Sequence, residues 1–370
     1  ADFEPEFGWG EENYHGVWGE EHSACREGVA MVDMSFMSKF LVQGPEAGDF
    51  LNSLSTADVD GPVDTITYTQ WLDGRGMMQA DLTVTKLDAS TFMVVATDTQ
   101  HRHVLTHMLS RLPSDARCEV TDVTGSQAYL NLQGPKSREL LQALTKADLS
   151  DESFPFRASK EIDVGYAKVR CTRITYVGEL GYELYVPAEQ AVHVFDRLME
   201  EGQKHGLRLA GLKALGSLRL EKGYRDFGHD VDNTDTIIEA GLAFACDFDK
   251  PGGFLGRDKV LEERARNKER GGPVKRMVSV LGKSKDCWLH HGEILLRDGV
   301  PMGEIRAGSH GFTVGGAVGL AMIEAPDEKI LLTKKYIDGG EWEVIVGNET
   351  YPVEVKLGPL YDPKNKKIKG

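Results

Sequence analysis

The sequence predicts a multidomain α+β protein ending in an all-β domain, on three observations. The chain has 370 residues, more than one hydrophobic core usually serves, so two or three domains are expected. A unit joining an apolar strand to an amphipathic helix occurs twice. Beyond the glycine-rich stretch 269–273 the helical periodicity gives way to short β runs with turns at Asp298-Gly299 and 338–340, the pattern of an all-β unit.

The duplicated unit reads FLVQGPEAGDFLNSLSTAD at 40–58 and LNLQGPKSRELLQALTKAD at 130–148. Gly44, Pro45 and Asp58 answer to Gly134, Pro135 and Asp148. Proline suits a helix start, where its missing N–H is unpaired in any case. Leu51 and Leu54, like Leu141 and Leu144, have the spacing of a buried helical stripe. Further strands are expected at 64–72, 77–87, 91–97 and 116–122, with a turn at 73–76 between the first two. Helices are expected from Asp98 to about Leu112 and near 189–205 and 209–224. The segments 249–258 and 269–273 read as punctuation and linker.

Composition excludes several classes of function. A net charge of −15 opposes a general basic field for nucleic acid or anionic membrane, though not a local pocket for a small anion. No apolar run approaches the roughly 18 residues of a membrane span. The five cysteines are scattered and odd in number, which points to reduced thiols in cytoplasm or mitochondrial matrix. The opening ADFEPEFGWG resembles neither a signal nor a transit peptide. It has no initiator methionine, which fits a processed chain or a segment of a longer one.

The densest chemical signal is YVGELGYE at 176–183, set between two expected strands, Ile174–Tyr176 and Glu183–Val186. Gly178 and Gly181 permit a tight turn or a close backbone approach. Glu183 falls within an apolar run, where an unpaired carboxylate is costly. On the residues alone, a hairpin whose Glu183 faces water is the simpler reading. Asp81 opens an alternating strand, and a turn or cap residue is its simplest reading. His103 and His107 lie four apart, with His101 nearby, but no adjacent glutamate completes a metalloprotease motif. No metal site is expected. Ser35, Ser217 and Ser309 lack a nucleophile-elbow setting. His290 and His291 read as solvated, and Lys364–Lys367 as a frayed tail.

The motif YVGELGYE, with DLTV at 81–84, Tyr68 in the preceding strand, MVDMSFMSKF (31–40), RLEKGYRDFGHDVDNTDTIIEAGL (219–242) and FLGRDKVL (254–261), resembles the aminomethyltransferase family. Its prototype is the folate-dependent T-protein of the glycine cleavage system. The resemblance covers about residues 15–360. It implies a three-domain fold: two interleaved mixed α/β domains around a central cavity and a C-terminal all-β domain. The expected division is 1–40 with 127–255, then 41–126, then 256–370. It also implies that Glu183 binds the pterin ring of tetrahydrofolate. Asp81, as catalytic residue, would lie beside the folate nitrogens that accept carbon. Met37, Tyr68 and Tyr176 would shape the cavity.

One departure is Leu215, in GLKAL, where glycine cleavage enzymes carry an arginine. With LEKGYR (220–225) and the tail YDPKNKKIKG, it makes the chain similar to the C-terminal folate half of sarcosine and dimethylglycine dehydrogenases. No dinucleotide-binding G-x-G-x-x-G follows a strand, so FAD is expected only in a separate domain or partner. The resemblance implies tetrahydrofolate, polyglutamylated or not, as cofactor. It implies capture of a methylene unit from an N-methylated glycine derivative, giving 5,10-methylenetetrahydrofolate. The partners expected are folate, a methylated amine and a flavin dehydrogenase domain or subunit, with neither nucleic acid nor membrane. Two alternatives stay open. One is a demethylase forming 5-methyltetrahydrofolate; the other is a non-catalytic homologue resembling the regulatory subunit of pyruvate dehydrogenase phosphatase.

Overall fold

The computed structural model describes residues 12–369; the acidic, aromatic opening of the sequence lies almost wholly outside them. Two sheets and a barrel organise the chain. The first sheet runs, in spatial order, Arg208–Leu209, Ala30–Asp33, Gln127–Gln133, Gly181–Pro187, Ala167–Thr172 and Ser159–Val164. Its short first member pairs in parallel and the rest are antiparallel. The second sheet, antiparallel throughout, runs Thr65–Leu72, Met78–Lys86, Thr91–Ala96, Ser38–Gln43 and Glu119–Asp122. The chain leaves the first sheet after Asp33, builds all of the second, and returns at Gln127.

Alternation of side chains sets what each face meets. On the first sheet Met31, Leu130, Leu132, Tyr182 and Leu184 pack with Leu140, Leu141, Val194 and Leu198 from helices Ser137–Leu144 and Ala191–His205. On the second, Phe40, Val42, Leu82, Val84 and Val94 pack with Leu51, Leu54, Val104 and Met108 from helices Ala47–Leu54 and His101–Leu109. The opposite faces meet each other: Ala30, Val32, Tyr129 and Tyr185 of the first join Met93 and Val95 of the second, with Leu215 and Leu218 from helix Leu212–Glu221.

The duplicated unit is structural. Ser38–Gln43 leads into helix Ala47–Leu54, as Gln127–Gln133 leads into Ser137–Leu144. The shared glycine has a physical cause in both copies. Gly44 has φ +137° and Gly134 φ +126°; a Cβ would fall 2.2 Å from the Arg117 carbonyl oxygen and 2.4 Å from that of Gly28, respectively. Leu51 and Leu141 are fully buried, each worth about 1.5–3 kcal/mol of apolar burial.

Six strands close the C-terminal barrel in the order Lys275–Gly282, Gly316–Glu324, Val300–Gly311, Ile294–Arg297, Trp342–Val346 and Glu349–Lys356. Met277, Leu281, Val318 and Leu320 dock it against Leu72, Met78, Leu220, Phe227 and Ile237.

Several expectations are corrected. Residues 173–180 form no strand; they bend, and pairing resumes only at Gly181. The helix expected from Asp98 is a short 3-10 turn followed by His101–Leu109. His107 is a buried core ring stacked on Trp71, with centroids 5.6 Å apart. Burial pushes its pKa down to about 4. The tail read as frayed is anchored: Lys222 Nζ donates to the Asp362 carbonyl (2.8 Å) and Asn365 Oδ1 (2.9 Å). Among the described residues no helix is long and apolar enough to cross a membrane.

Candidate active site

The motif at 176–183 is shaped by what approaches it. Gly178 has φ +84°, and a Cβ there would lie 2.3 Å from the buried stem of Lys222. At Gly181 a Cβ would lie 2.1 Å from Gln133 Oε1 on the paired strand. Between them Glu179 is held by Arg26 Nη1 (3.1 Å) and by the Tyr361 hydroxyl (2.7 Å). Arg26 is the centre of a buried polar hub. It also donates to the Val177 carbonyl (2.6 Å) and Glu221 Oε2 (2.8 Å). Glu221 in turn accepts the barrel N–H groups of Thr313 and Val314 at 2.9 and 3.2 Å. Burial opposes the Glu221 charge, but His22 and Arg26 hold its pKa down at about 2. Helix His15–Glu27, the motif, helix Leu212–Glu221 and the barrel are thereby locked together.

His22 and Ser217 sit 2.8 Å apart in this hub, with Glu221 3.5 Å from the other ring nitrogen. The set resembles a hydrolytic triad only in composition. Ser217 is fully buried and donates to the His310 carbonyl, so its hydroxyl is a strut.

Glu183 does not face water: it is 8% exposed and lies on the sheet face turned toward the second sheet. The Tyr185 hydroxyl donates to its Oε2 at 2.7 Å, and the Tyr129 hydroxyl beside it also favours the anion. The two rings stack at 4.8 Å. Burial outweighs both hydrogen bonds and raises the Glu183 pKa. Among the described residues no Lys, Arg or His lies within ion-pair distance of it. The structure therefore holds a buried carboxylate with hydroxyl partners and no countercharge.

Asp81 sits on the second sheet directly across from Gln70, whose Nε2 donates to Oδ1 at 2.9 Å. Burial is the main cause of its pKa rising to about 7; hydrogen bonds from Gln70 and Tyr68 oppose the rise, and the charges of Asp226 and Asp230 add to it. Tyr68, half-buried, is pushed well above the usual phenol value by burial and by Asp81. Tyr176 donates to the Arg225 carbonyl (2.7 Å) and stacks on Tyr224. Met37 and Tyr176 both pack against the cluster that contains Tyr129, Tyr185 and Leu215. Asp81, Tyr68 and Tyr176 share one electrostatic neighbourhood, and Tyr176 links it to the junction where Glu183 lies.

Groups outside the sequence-based set are Gln70, Tyr129, Tyr185 and the pair Arg219–Asp230, joined at 3.0 and 3.1 Å. Gln70 and Tyr185 were legible in principle, since each alternates onto the same strand face as a named residue. Tyr129 had no local signal, because cross-strand register alone brings it to Glu183. Two surface concavities, around 252–259 and between 62–65 and 152–160, lie elsewhere.

Residues 1–250 match the GCVT N-terminal domain, and residues 275–362 match the glycine cleavage T-protein C-terminal barrel domain. The chain is 38% identical to the 4-methylaminobutanoate oxidase (formaldehyde-forming) of Paenarthrobacter nicotinovorans, over 99% of this chain and 42% of that protein. It is 32% identical to the mitochondrial sarcosine dehydrogenase of Homo sapiens, over 96% of this chain and 40% of that one. It thus spans about two fifths of the length of these curated relatives. The glycine cleavage system aminomethyltransferase T from Bartonella henselae superposes with a TM-score of 0.81 over 97% of this chain and 94% of that one. At 23% identity this likeness speaks for the fold. The chain belongs to the glycine cleavage T-protein, or aminomethyltransferase, family, whose reaction is folate-dependent one-carbon transfer.

Proposed function

We propose that this chain captures a methylene unit from an N-methylated glycine derivative on tetrahydrofolate, giving 5,10-methylenetetrahydrofolate. The observation that carries the reading is Glu183, a buried carboxylate without a countercharge among the described residues, on an aromatic and apolar junction. A pterin edge suits that carboxylate, because it presents adjacent N–H donors that a carboxylate accepts in pairs. Tyr129 and Tyr185 fix the carboxylate, and Met37 and Tyr176 supply surface for the ring.

Bound tetrahydrofolate supplies the N5 and N10 nucleophiles. Asp81 is the proposed proton acceptor and relay, and a pKa near 7 suits that task at neutral pH. Gln70 and Tyr68 hold its carboxyl in place. The exchange is redox-neutral. Two C–N bonds form to folate while both bonds of the donor's C=N⁺ unit break. The two folate N–H protons end on the departing amine, which leaves as an ammonium ion. Oxidation of the methyl group to the iminium level is assigned to a flavin domain or subunit outside this chain, a view supported by the length of the relatives.

Calorimetric titration of tetrahydrofolate tests the reading. The parent should bind, and Glu183→Gln should weaken binding by about 1–3 kcal/mol. Asp81→Asn should bind yet fail to form methylenetetrahydrofolate. Failure of the folded parent to bind would overturn the proposal, and formation of 5-methyltetrahydrofolate would replace the methylene product.

A further inference from the structure

Three cations lie between 219 and 225, and the fold treats one of them differently. Arg219 grips the buried Asp230, and Lys222 is tied to the tail with Asp362 Oδ2 at 3.8 Å. Arg225 has no carboxylate within ion-pair distance among the described residues. It is nevertheless half-buried and firmly placed. Its Nε donates to the Ala240 carbonyl at 2.9 Å, its Nη1 donates to the Gly223 carbonyl, and its own carbonyl accepts from Tyr176. Gly223 and Gly241, with φ +62° and +71°, make room on either side. A Cβ at Gly241 would come 3.0 Å from Nη2, and one at Gly223 would come 3.5 Å from Nη1.

A guanidinium carries five N–H donors, and the hydrogen bonds above use one on Nε and one on Nη1. Burial disfavours the Arg225 charge, and the donors that remain sit within the field of Tyr68, Asp230 and Asp81, none of which is within ion-pair distance. Two residues here therefore lack an ion-pair partner among the described residues, the carboxylate of Glu183 and the guanidinium of Arg225. Glu183 suits a donor edge, whereas Arg225 suits a carboxylate, which it can meet in a planar, paired geometry.

We propose that Arg225 receives the carboxylate of the one-carbon donor, so that the site favours N-methylated amino acids over simple methylamines. The inference rests on the folate reading above, because that reading puts the reacting carbon beside Asp81. Folate's own carboxylates belong to its glutamate tail, beyond the aminobenzoyl group and away from N5 and N10. A carboxylate that reaches Arg225, within the field of Asp81, is therefore the donor's. Arg225 acts as a specificity-determining residue, and the proton transfer stays with Asp81.

The test compares formaldehyde adducts of N-methylglycine and of N-methylethanolamine, which differ in the carboxylate. Methylenetetrahydrofolate formation is followed after subtraction of the uncatalysed reaction. The parent should show a KM at least about tenfold lower for the N-methylglycine adduct, as expected for one charge-assisted contact. In Arg225→Gln that ratio should collapse toward one while the tetrahydrofolate Kd stays within about twofold, and Arg225→Lys should restore part of the preference. An indifferent parent overturns the inference, as does a Gln variant that loses folate affinity in step with donor affinity. Should the variants fail to fold, the parent's own preference decides. Should the parent not bind folate, the functional reading falls. Titration of N-methylglycine into the parent then decides about Arg225, and absence of binding overturns its assignment.

Discussion

Replacing Asp81 by Asn removes a charge that the fold suppresses, and the cost of that charge can be worked out from its surroundings. Asp81 has an ordinary carboxyl value of 3.8 and is raised to about 7 in the folded chain, chiefly by burial. The sign follows directly. A carboxyl raised on folding binds its proton more tightly in the native state, so ionising it destabilises the fold. The penalty is absent below pH 3.8, grows as pH rises, and levels off above about 7. Each pH unit in that window is worth about 1.4 kcal/mol. Between pH 5 and pH 8 the parent should therefore lose about 2–3 kcal/mol that Asp81→Asn keeps. Denaturant unfolding of both forms at pH 5, 6, 7 and 8 measures the gap. It should widen in favour of the variant as pH rises and flatten above 7. A gap independent of pH would refute the raised value. A gap that widens in favour of the parent would show that Gln70 and Tyr68 stabilise the anion more than burial penalises it.

Two further predictions concern the frame around the site. Gly178→Ala puts a Cβ against the Lys222 stem and demands a left-handed residue. Because the Lys222 ammonium is tied to the tail, the strain should cost about 1–3 kcal/mol, and an unchanged melting temperature would show that the tail gives way freely. Arg26→Met leaves Glu221 and Glu179 buried without their guanidinium and should cost about 3–5 kcal/mol at pH 7. The Glu221 value is depressed to about 2, so its stabilisation is present above 4.5 and is lost as pH falls toward 2. The deficit of Arg26→Met in chemical unfolding should shrink over that acidic range, and a constant deficit would exclude the ion pair as its cause.

Local chemistry made much of the architecture legible. Gly44 and Gly134 announced the duplicated unit because their backbone angles are forced on the spot. The turn at Asp73–Gly76 was readable for the same reason: the Asp73 carboxylate accepts the N–H groups of Arg75 and Met77 at 2.9 and 3.0 Å. Period-two alternation placed the strands around Tyr68 and Asp81. The same local reading failed at Ile174–Tyr176, whose β-prone side chains were outweighed by other bonds: Gln133 donates to the Ile174 carbonyl, Thr175 Oγ1 accepts the N–H groups of Val177 and Gly178, and Tyr176 donates to the Arg225 carbonyl. It failed again at the tail, whose lysines are exposed but whose backbone is held by Lys222 through the Asp362 carbonyl and Asn365.

The sequence by itself determined which residues are chemically unusual: a glutamate in an apolar strand, an aspartate opening another, and glycines where side chains cannot fit. Such properties depend on near neighbours along the chain. Only the tertiary structure decided that Glu183 is a buried carboxylate and Arg225 a guanidinium without an ion-pair partner among the described residues, and that the Asp81 pKa is raised to about 7. Charge, burial and partnership at each of these groups are sums over elements far apart in sequence, and packing two sheets face to face fixes them together.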